Sequence, residues 1–529
     1  MRAEMMHPVT PHAIKAMLAD GEELALIDVR EELTYSENHL LWARSVPLSR
    51  LELRFARLVP RKSTRIVLCD DADGLAQRAA DVLARAGYSN LSYLEGGVAA
   101  WAAAGFELFS GVYVPSKAFG EFIEHACATP NIGPEELNRL IESRADIVVL
   151  DSRPLDEFRR VSIPTATSVP GAELVLRVRD MAPSPETLVV VNCAGRTRSI
   201  IGAQSLINAG VPNKVVALRN GTMGFTLAGF TCDSGKDNRA PEVSDQGLGW
   251  AKEAAAGVAK RYGIERITRD ILEQRRADET RTLYLFDVRD PPEYLASHVA
   301  GAISAPGGQL VQATDLYAGT LGARIVLVDD AEVRAVMTAS WLKQMGWQDV
   351  FVLAATGTET GMPAAPLIGD APPSSSRIDA KELAALLERD AASVIDLSLS
   401  ANYCKGHIAD SWFAIRSRLA RALPKIAAKG ELVLTSEDGV LAGLAIGEAT
   451  ALTGRPVRYL HGGNAAWQAA GLPLSTDLRM ADDPVDVWLK PYERAGDTTG
   501  AMNEYLSWEV DLVARIERDG TCNFSTARN

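Results

Sequence analysis

Four times along the chain a short apolar run ends in or beside an acidic residue: "LALIDVR" at 24–30, "IVVLDSR" at 147–153, "LYLFDVR" at 283–289 and "SVIDLS" at 393–398. Each follows a stretch with helical periodicity, such as "TPHAIKAMLADG" or "IDAKELAALLERD". Each leads to a second apolar run, "RIVLCD" at 65–70, "LVVVNC" at 188–193, "RIVLVD" at 324–329 and "ELVLTS" at 431–436. A further helical stretch and a third strand, such as "LSYLEGG" or "VRYLHGG", complete the unit. Continuously apolar strands are buried on both faces, as in a parallel sheet whose crossovers are helices. A recurrence of this kind marks tandem repeats. The predicted fold class is α/β: four three-layer α/β/α modules with a mostly parallel central sheet, at 8–110, 131–232, 263–364 and 376–475.

Residues 113–130 and 243–262 are predicted helical connectors, and the Pro- and Ser-rich 364–376 an extended linker. A C-terminal extension, 477–529, carries a predicted helix over 500–518. That helix places Met502, Tyr505, Leu506, Leu512, Val513 and Ile516 near one face, which is expected to dock on a neighbouring module.

Lys+Arg 55 against Asp+Glu 68 gives a formal charge of −13, which argues against nucleic acid or an anionic membrane as a partner. The start, "MRAEMMHPVTPHAIKAML", lacks the apolar stretch of a signal peptide, and no run is long enough to span a bilayer. The six cysteines form no CxxC pair and no cluster with zinc-ligand spacing. A cytoplasmic protein with reduced thiols, no metal and no organic cofactor is expected.

The stretch "VVVNCAGRTRSIIGAQSL" at 189–206 is the candidate site. Cys193 stands between a buried strand and a helix, with Arg196 and Arg198 beside it. A thiol with a pKa near 8.5 is mostly protonated at neutral pH. A tight loop entering a helix turns backbone amides inward and adds the positive end of the helix dipole, which favours an anionic sulfur. Gly195 permits close backbone approach, and the amides of Ala194, Gly195, Thr197 and Ser199 are candidate donors. Aligning the repeats sets Cys193 opposite Asp70, Asp329 and Ser436, or Glu437 if the helix is the anchor. Cys69 falls one position too early, and in a strand that points it to the other face.

The repeat resembles the rhodanese sulfurtransferases, including their tandem four-module bacterial members. The residues that carry the resemblance are Asp28/Arg30, Asp151/Arg153 and Asp287/Arg289; Gly406-His407-Ile408; Cys193 with its loop; and Gly96-Gly97 to Trp101 and Gly462-Gly463 to Trp467. The resemblance implies a sulfurtransferase. Cys193 would take the outer sulfur of thiosulfate or a similar anionic donor, carry it as a persulfide, and pass it to cyanide, a thiol or a sulfur-acceptor protein. Arg196 and Arg198 would bind the donor. Modules one, three and four lack the cysteine and are expected to be silent. The Asp–Arg pairs recur in silent modules and are therefore read as structural. His39, His298 and His407 occur only there, with Ser162 at the matching place in module two, so no histidine base is expected. Two rivals remain. A cysteine phosphatase or arsenate reductase would need Cys-x5-Arg, whereas Cys193 to Arg198 is Cys-x4-Arg. A non-catalytic scaffold or a redox or sulfur sensor would use all four modules for binding.

Overall fold

The structure, a computed structural model, describes residues 6–355 and 357–526. In the second module the strands Asn131–Ile132, Val215–Leu218, Leu188–Asn192, Ile147–Asp151 and Thr167–Ser168 lie side by side in that order, every pair parallel. The third module repeats this with Glu265–Arg266, Val350–Ala354, Arg324–Asp329, Leu283–Asp287 and Ile303–Ser304. The fourth does so with Arg377–Ile378, Val457–Leu460, Glu431–Thr435, Ala392–Asp396 and Trp412–Phe413. In the first, His7–Val9, Leu91–Leu94, Ile66–Cys69 and Leu24–Asp28 are ordered likewise, with Arg44–Ser45 alongside.

β-Branched residues fill the central strands because both faces are covered: Val189, Val190 and Val191 have no exposed surface. Burial of each such side chain stabilises the fold by roughly 1.5–3 kcal/mol. The second and third modules share one apolar core. It runs from Leu150, Leu174 and Val191 through Ala255 and Val258 of the connector helix Asp245–Tyr262 to Phe286, Leu327 and Trp341. These two modules form one compact unit with the C-terminal extension from Leu489 onward; the first and fourth modules form another. The C-terminal helix spans Thr498–Asp519 and buries Met502, Leu506, Leu512 and Ile516, as its periodicity predicts. Glu509 is buried on the same face. Val513 and Tyr505 sit at its margin, half-buried.

Strand register settles the alignment of the repeats. Asp151 faces Asn192, Asp28 faces Cys69, Asp287 faces Val328, and Asp396 faces Thr435. The next residue in each case is Cys193, Asp70, Asp329 or Ser436, so Ser436 and not Glu437 is the fourth equivalent. Cys69 lies inside its strand with no exposed surface, and burial pushes its thiol well above the ordinary value.

The Asp-x-Arg pairs are buried ion pairs of 2.7 Å in modules one, two and three. Each arginine also donates to a carbonyl eight residues on, that of Asn38, Val161 or Ser297. The pair thereby clamps the short helix that follows the first strand. In the fourth module Ser398 and Asn464 satisfy Asp396 instead. The histidines are equally structural: His39, His298 and His407 stack on Tyr35, Tyr294 and Tyr403 at 3.8–4.0 Å between ring centres. Removing one partner of a buried ion pair strands the other, so Arg153→Met will lower the unfolding free energy by about 3–5 kcal/mol in urea titration. A change below about 1 kcal/mol would contradict the clamp.

Candidate active site

The strand Leu188–Asn192 brings the chain to the carboxyl edge of the sheet, and the helix Thr197–Asn208 begins four residues after Cys193. This is the edge at which open α/β sheets bind ligands. Cys193 is 2% exposed. Its Sγ lies 3.5 Å from Ser199 Oγ, to which the thiol donates, and the Ser199 hydroxyl donates to the Arg196 carbonyl at 2.7 Å. Once the sulfur is ionised, that hydroxyl can turn and donate to it. The loop backbone is tied from below, where the amides of Thr222 and Met223 donate to the carbonyls of Cys193 and Ala194 at 2.9 and 3.0 Å. Gly221, at φ +55°, makes this approach possible; a Cβ there would collide with the Cys193 carbonyl oxygen.

The sister modules show what this loop accommodates. Asp70 Oδ2 accepts from the Ala76 amide at 2.9 Å, Asp329 Oδ2 from Ala335 at 3.3 Å, and Ser436 Oγ from Ala442 at 3.3 Å. In each case a side-chain oxygen caps the amide six residues ahead. The equivalent residue in the second module is Ser199, whose amide donates instead to the Arg196 carbonyl at 3.1 Å, and among the described residues no side chain accepts from the amides of residues 194–198. The same helix N-terminus is thus filled by oxygen three times and lies beside a sulfur once. The backbone path differs too. The residue before the helix is left-handed in the sister modules (Gly74, Glu332, Gly439), whereas Arg196 has φ −118°.

The two arginines separate. The Arg196 guanidinium leaves the loop for the connector helix Val114–Cys127, where Nε and Nη2 each donate to Glu121 at 2.7 Å. It also pairs with Glu124 and with Asn220. Arg198 turns to Glu157 instead, and against the cost of burial Glu157 first, with Cys193 and Asp151 adding less, holds its guanidinium protonated. It grips Glu157 through two hydrogen bonds of 2.9 and 3.1 Å and donates to Gln309 of the third module at 3.1 Å. Against the cost of burial, Arg198 and then Lys490 hold the Glu157 carboxyl well below the usual carboxylate range. Burial, aided by Glu157, pushes the neighbouring Tyr492 phenol up to about 12.

The C-terminal extension supplies a wall. Met502 and Leu506 pack on Met223, with Tyr492 and Tyr505 at the edge. Lys117 Nζ donates to Glu509 Oε1 at 2.8 Å and also to the Tyr505 hydroxyl. A Cβ on Gly195 would lie 2.9 Å from Met223 Cε and 3.2 Å from Glu509 Oε2. Of the residues predicted from sequence, Cys193 and Ser199 are in contact, Arg198 is held by Glu157 and Gln309, and Arg196 is held by Glu121. Sequence reasoning missed Glu157, Gln309, Lys490, Tyr492, Tyr505, Glu509 and Lys117. The available signal was Glu509, a carboxylate on the apolar stripe of its helix. Among the described residues the one acidic cluster compact enough for a metal ion is Glu173, Asp290 and Glu293. Arg334 occupies it, donating to Glu173 and Glu293 at 2.8 and 2.6 Å.

The profile of the rhodanese-like domain matches residues 10–104, 133–228, 268–355 and 379–470. The chain belongs to the rhodanese-like domain family. It is 47% identical to a crystallised thiosulfate sulfurtransferase from Pseudomonas aeruginosa, over 99% of this chain and 100% of that one, with a TM-score of 0.96. One 96-residue stretch is 33% identical to the probable adenylyltransferase/sulfurtransferase MoeZ of Mycobacterium tuberculosis, and that match spans 18% of this chain and 24% of the relative. This rhodanese chain is a sulfurtransferase-like enzyme by that full-length likeness. No helix among its described residues is long and apolar enough to cross a membrane.

Because the Glu157 carboxyl is depressed in the folded state, its stabilising contribution is present above the unfolded value of about 4.3 and is lost as pH falls below it. Thermal melts between about pH 5 and pH 2 should therefore show a smaller acid-dependent loss in Glu157→Gln than in the parent. Equal losses would mean that Arg198 does not hold this carboxylate.

Proposed function

We propose that this protein moves a sulfane sulfur from thiosulfate, or a similarly anionic donor, through a Cys193 persulfide to cyanide or a thiol. The observation that carries this reading is the helix N-terminus beside Cys193: the sister modules cap theirs with a side-chain oxygen, whereas here no side chain among the described residues accepts from the amides of residues 194–198. The Cys193 thiolate attacks the outer sulfur of the donor; a sulfur–sulfur bond forms, the donor's own sulfur–sulfur bond breaks, and its electron pair departs with sulfite. The acceptor then attacks the outer sulfur of the persulfide and Cys193 leaves as the thiolate. Such two-stage covalent chemistry gives ping-pong kinetics.

Arg198 faces the donor's sulfonate, with the amides of Ala194, Gly195 and Thr197 around the transferred sulfur and the Ser199 hydroxyl against Cys193 Sγ. Arg196 acts through the backbone. Its side chain is anchored on Glu121 and Glu124, and its carbonyl accepts from the Ser199 and Ile200 amides at 3.1 Å, which fixes the loop. The burial of Cys193 behind the C-terminal wall favours a small nucleophile; a protein acceptor would have to present a slender thiol. The full-length likeness to a thiosulfate sulfurtransferase supports thiosulfate as the donor. The short Cys-x4-Arg loop disfavours phosphate, and a phosphatase assay beside the thiosulfate:cyanide assay separates the two chemistries.

After incubation with thiosulfate under reducing, metal-free conditions, mass spectrometry should find one added sulfur atom on the peptide carrying Cys193. Its absence would favour a binding scaffold. Cys193→Ser should abolish transfer and Cys69→Ser should leave it within about twofold, since the register directs Cys69 away from the site. Arg198→Ala should raise the KM for thiosulfate about tenfold or more, the worth of one charged hydrogen bond. An unchanged KM would remove Arg198 from donor binding.

A further inference from the structure

We propose that the Tyr505–Glu509 pair on the C-terminal helix takes the proton from a protic sulfur acceptor as that acceptor attacks the persulfide. The inference rests on the Cys193 persulfide reading above. A thiol acceptor arrives mostly protonated at neutral pH and must lose its proton to become nucleophilic. The module itself offers little to receive it. The loop amides and Arg198 only donate, and Glu157 is held ionised by Arg198 and Lys490, which makes it a poor proton acceptor. Module two also has Phe158 and Ser162 where its sisters stack a tyrosine on a histidine.

Glu509 is built differently. It is 1% exposed; Oε1 is held by Lys117 and by the Tyr505 hydroxyl, which donates at 3.0 Å. Its other oxygen, Oε2, is buried with no hydrogen-bond partner among the described residues, and it looks onto the loop at Gly195. A buried carboxylate oxygen without a donor is costly, and a proton delivered to the carboxyl, at Oε1 by way of Tyr505, neutralises the group and relieves that cost. The Tyr505 hydroxyl donates to that carboxylate and lies within electrostatic reach of Arg198 and Cys193; burial and Glu509 keep its phenol protonated. It therefore passes the proton on and does not itself retain it. The charged and titratable groups around the pair are Lys117 and Glu121 from the connector helix, Cys193, Arg196 and Arg198 from the loop and its helix, and Tyr492 from the extension.

In the step, the acceptor S–H bond breaks and its proton goes through Tyr505 to Glu509. The acceptor sulfur bonds to the outer persulfide sulfur, the bond from that sulfur to Cys193 Sγ breaks, and its electron pair stays on Sγ. The products are the acceptor's persulfide anion and the Cys193 thiolate, and no external oxidant or reductant enters.

The test compares discharge of the preloaded persulfide to dithiothreitol, which must lose a proton, with discharge to sulfite, which need not. In Glu509→Gln and Tyr505→Phe the ratio of the two rates should fall by about 10²-fold. The residual thiol rate should then rise about tenfold per pH unit, following ionisation of the free thiol. Loading of Cys193 by thiosulfate, read by mass, reports in each variant whether the site is intact. An unchanged ratio in a variant that loads, or equal slowing with both acceptors, overturns the pair's role. Failure of the parent protein to load overturns the persulfide reading instead.

Discussion

An anionic sulfur is stable away from water only where donors meet it, and a parallel strand that stops one residue before a helix-bound loop supplies them. Cys193 occupies that place, and much of the second module serves to keep it there. The Asp151–Asn192 register ends the strand. Gly221 lets the next turn tie down the carbonyls of Cys193 and Ala194. Arg196 pins the loop to the connector helix, and the Asp151–Arg153 pair closes the neighbouring turn. Each contact is structural, and each sets where the sulfur sits relative to the helix N-terminus.

The repeats act as internal controls on this arrangement. Asp70, Asp329 and Ser436 occupy the cysteine's position and spend their oxygens on the helix amides, so those loops are closed upon themselves. A module without the cysteine still has a structural use. The third module completes the core of the second and reaches Arg198 through Gln309. In the other compact unit the first and fourth modules are joined by Glu52–Arg416 at 2.7 Å and by Glu31, which accepts from Ser49 and Ser417. Duplication here provides walls and buttresses for the one copy that carries a cysteine at this position.

The C-terminal extension belongs to that copy as well. From sequence its helix reads as amphipathic, and docking on a neighbour is the physical expectation. Docking is what it does, but the face it buries carries Glu509 and Tyr505 as well as apolar residues, and it meets Lys117 from a connector nearly 400 residues earlier in the chain. Such a meeting leaves no local trace in the sequence.

The sequence by itself determined the four α/β repeats, their parallel strands and the single cysteine at the strand-to-helix turn. These follow from period, burial pattern and the two-residue alternation of a strand, all of which are local. Tertiary structure decided the rest. It chose Ser436 over Glu437, because register is a property of two strands and not of one. It sent Arg196 to Glu121 and Arg198 to Glu157, because two long side chains two positions apart are directed by partners that lie far off in the chain. It brought Glu157, Gln309, Tyr492 and Glu509 around the loop because burial leaves a charge stable only beside its counter-charge or donor, and packing alone determines which distant segments supply them.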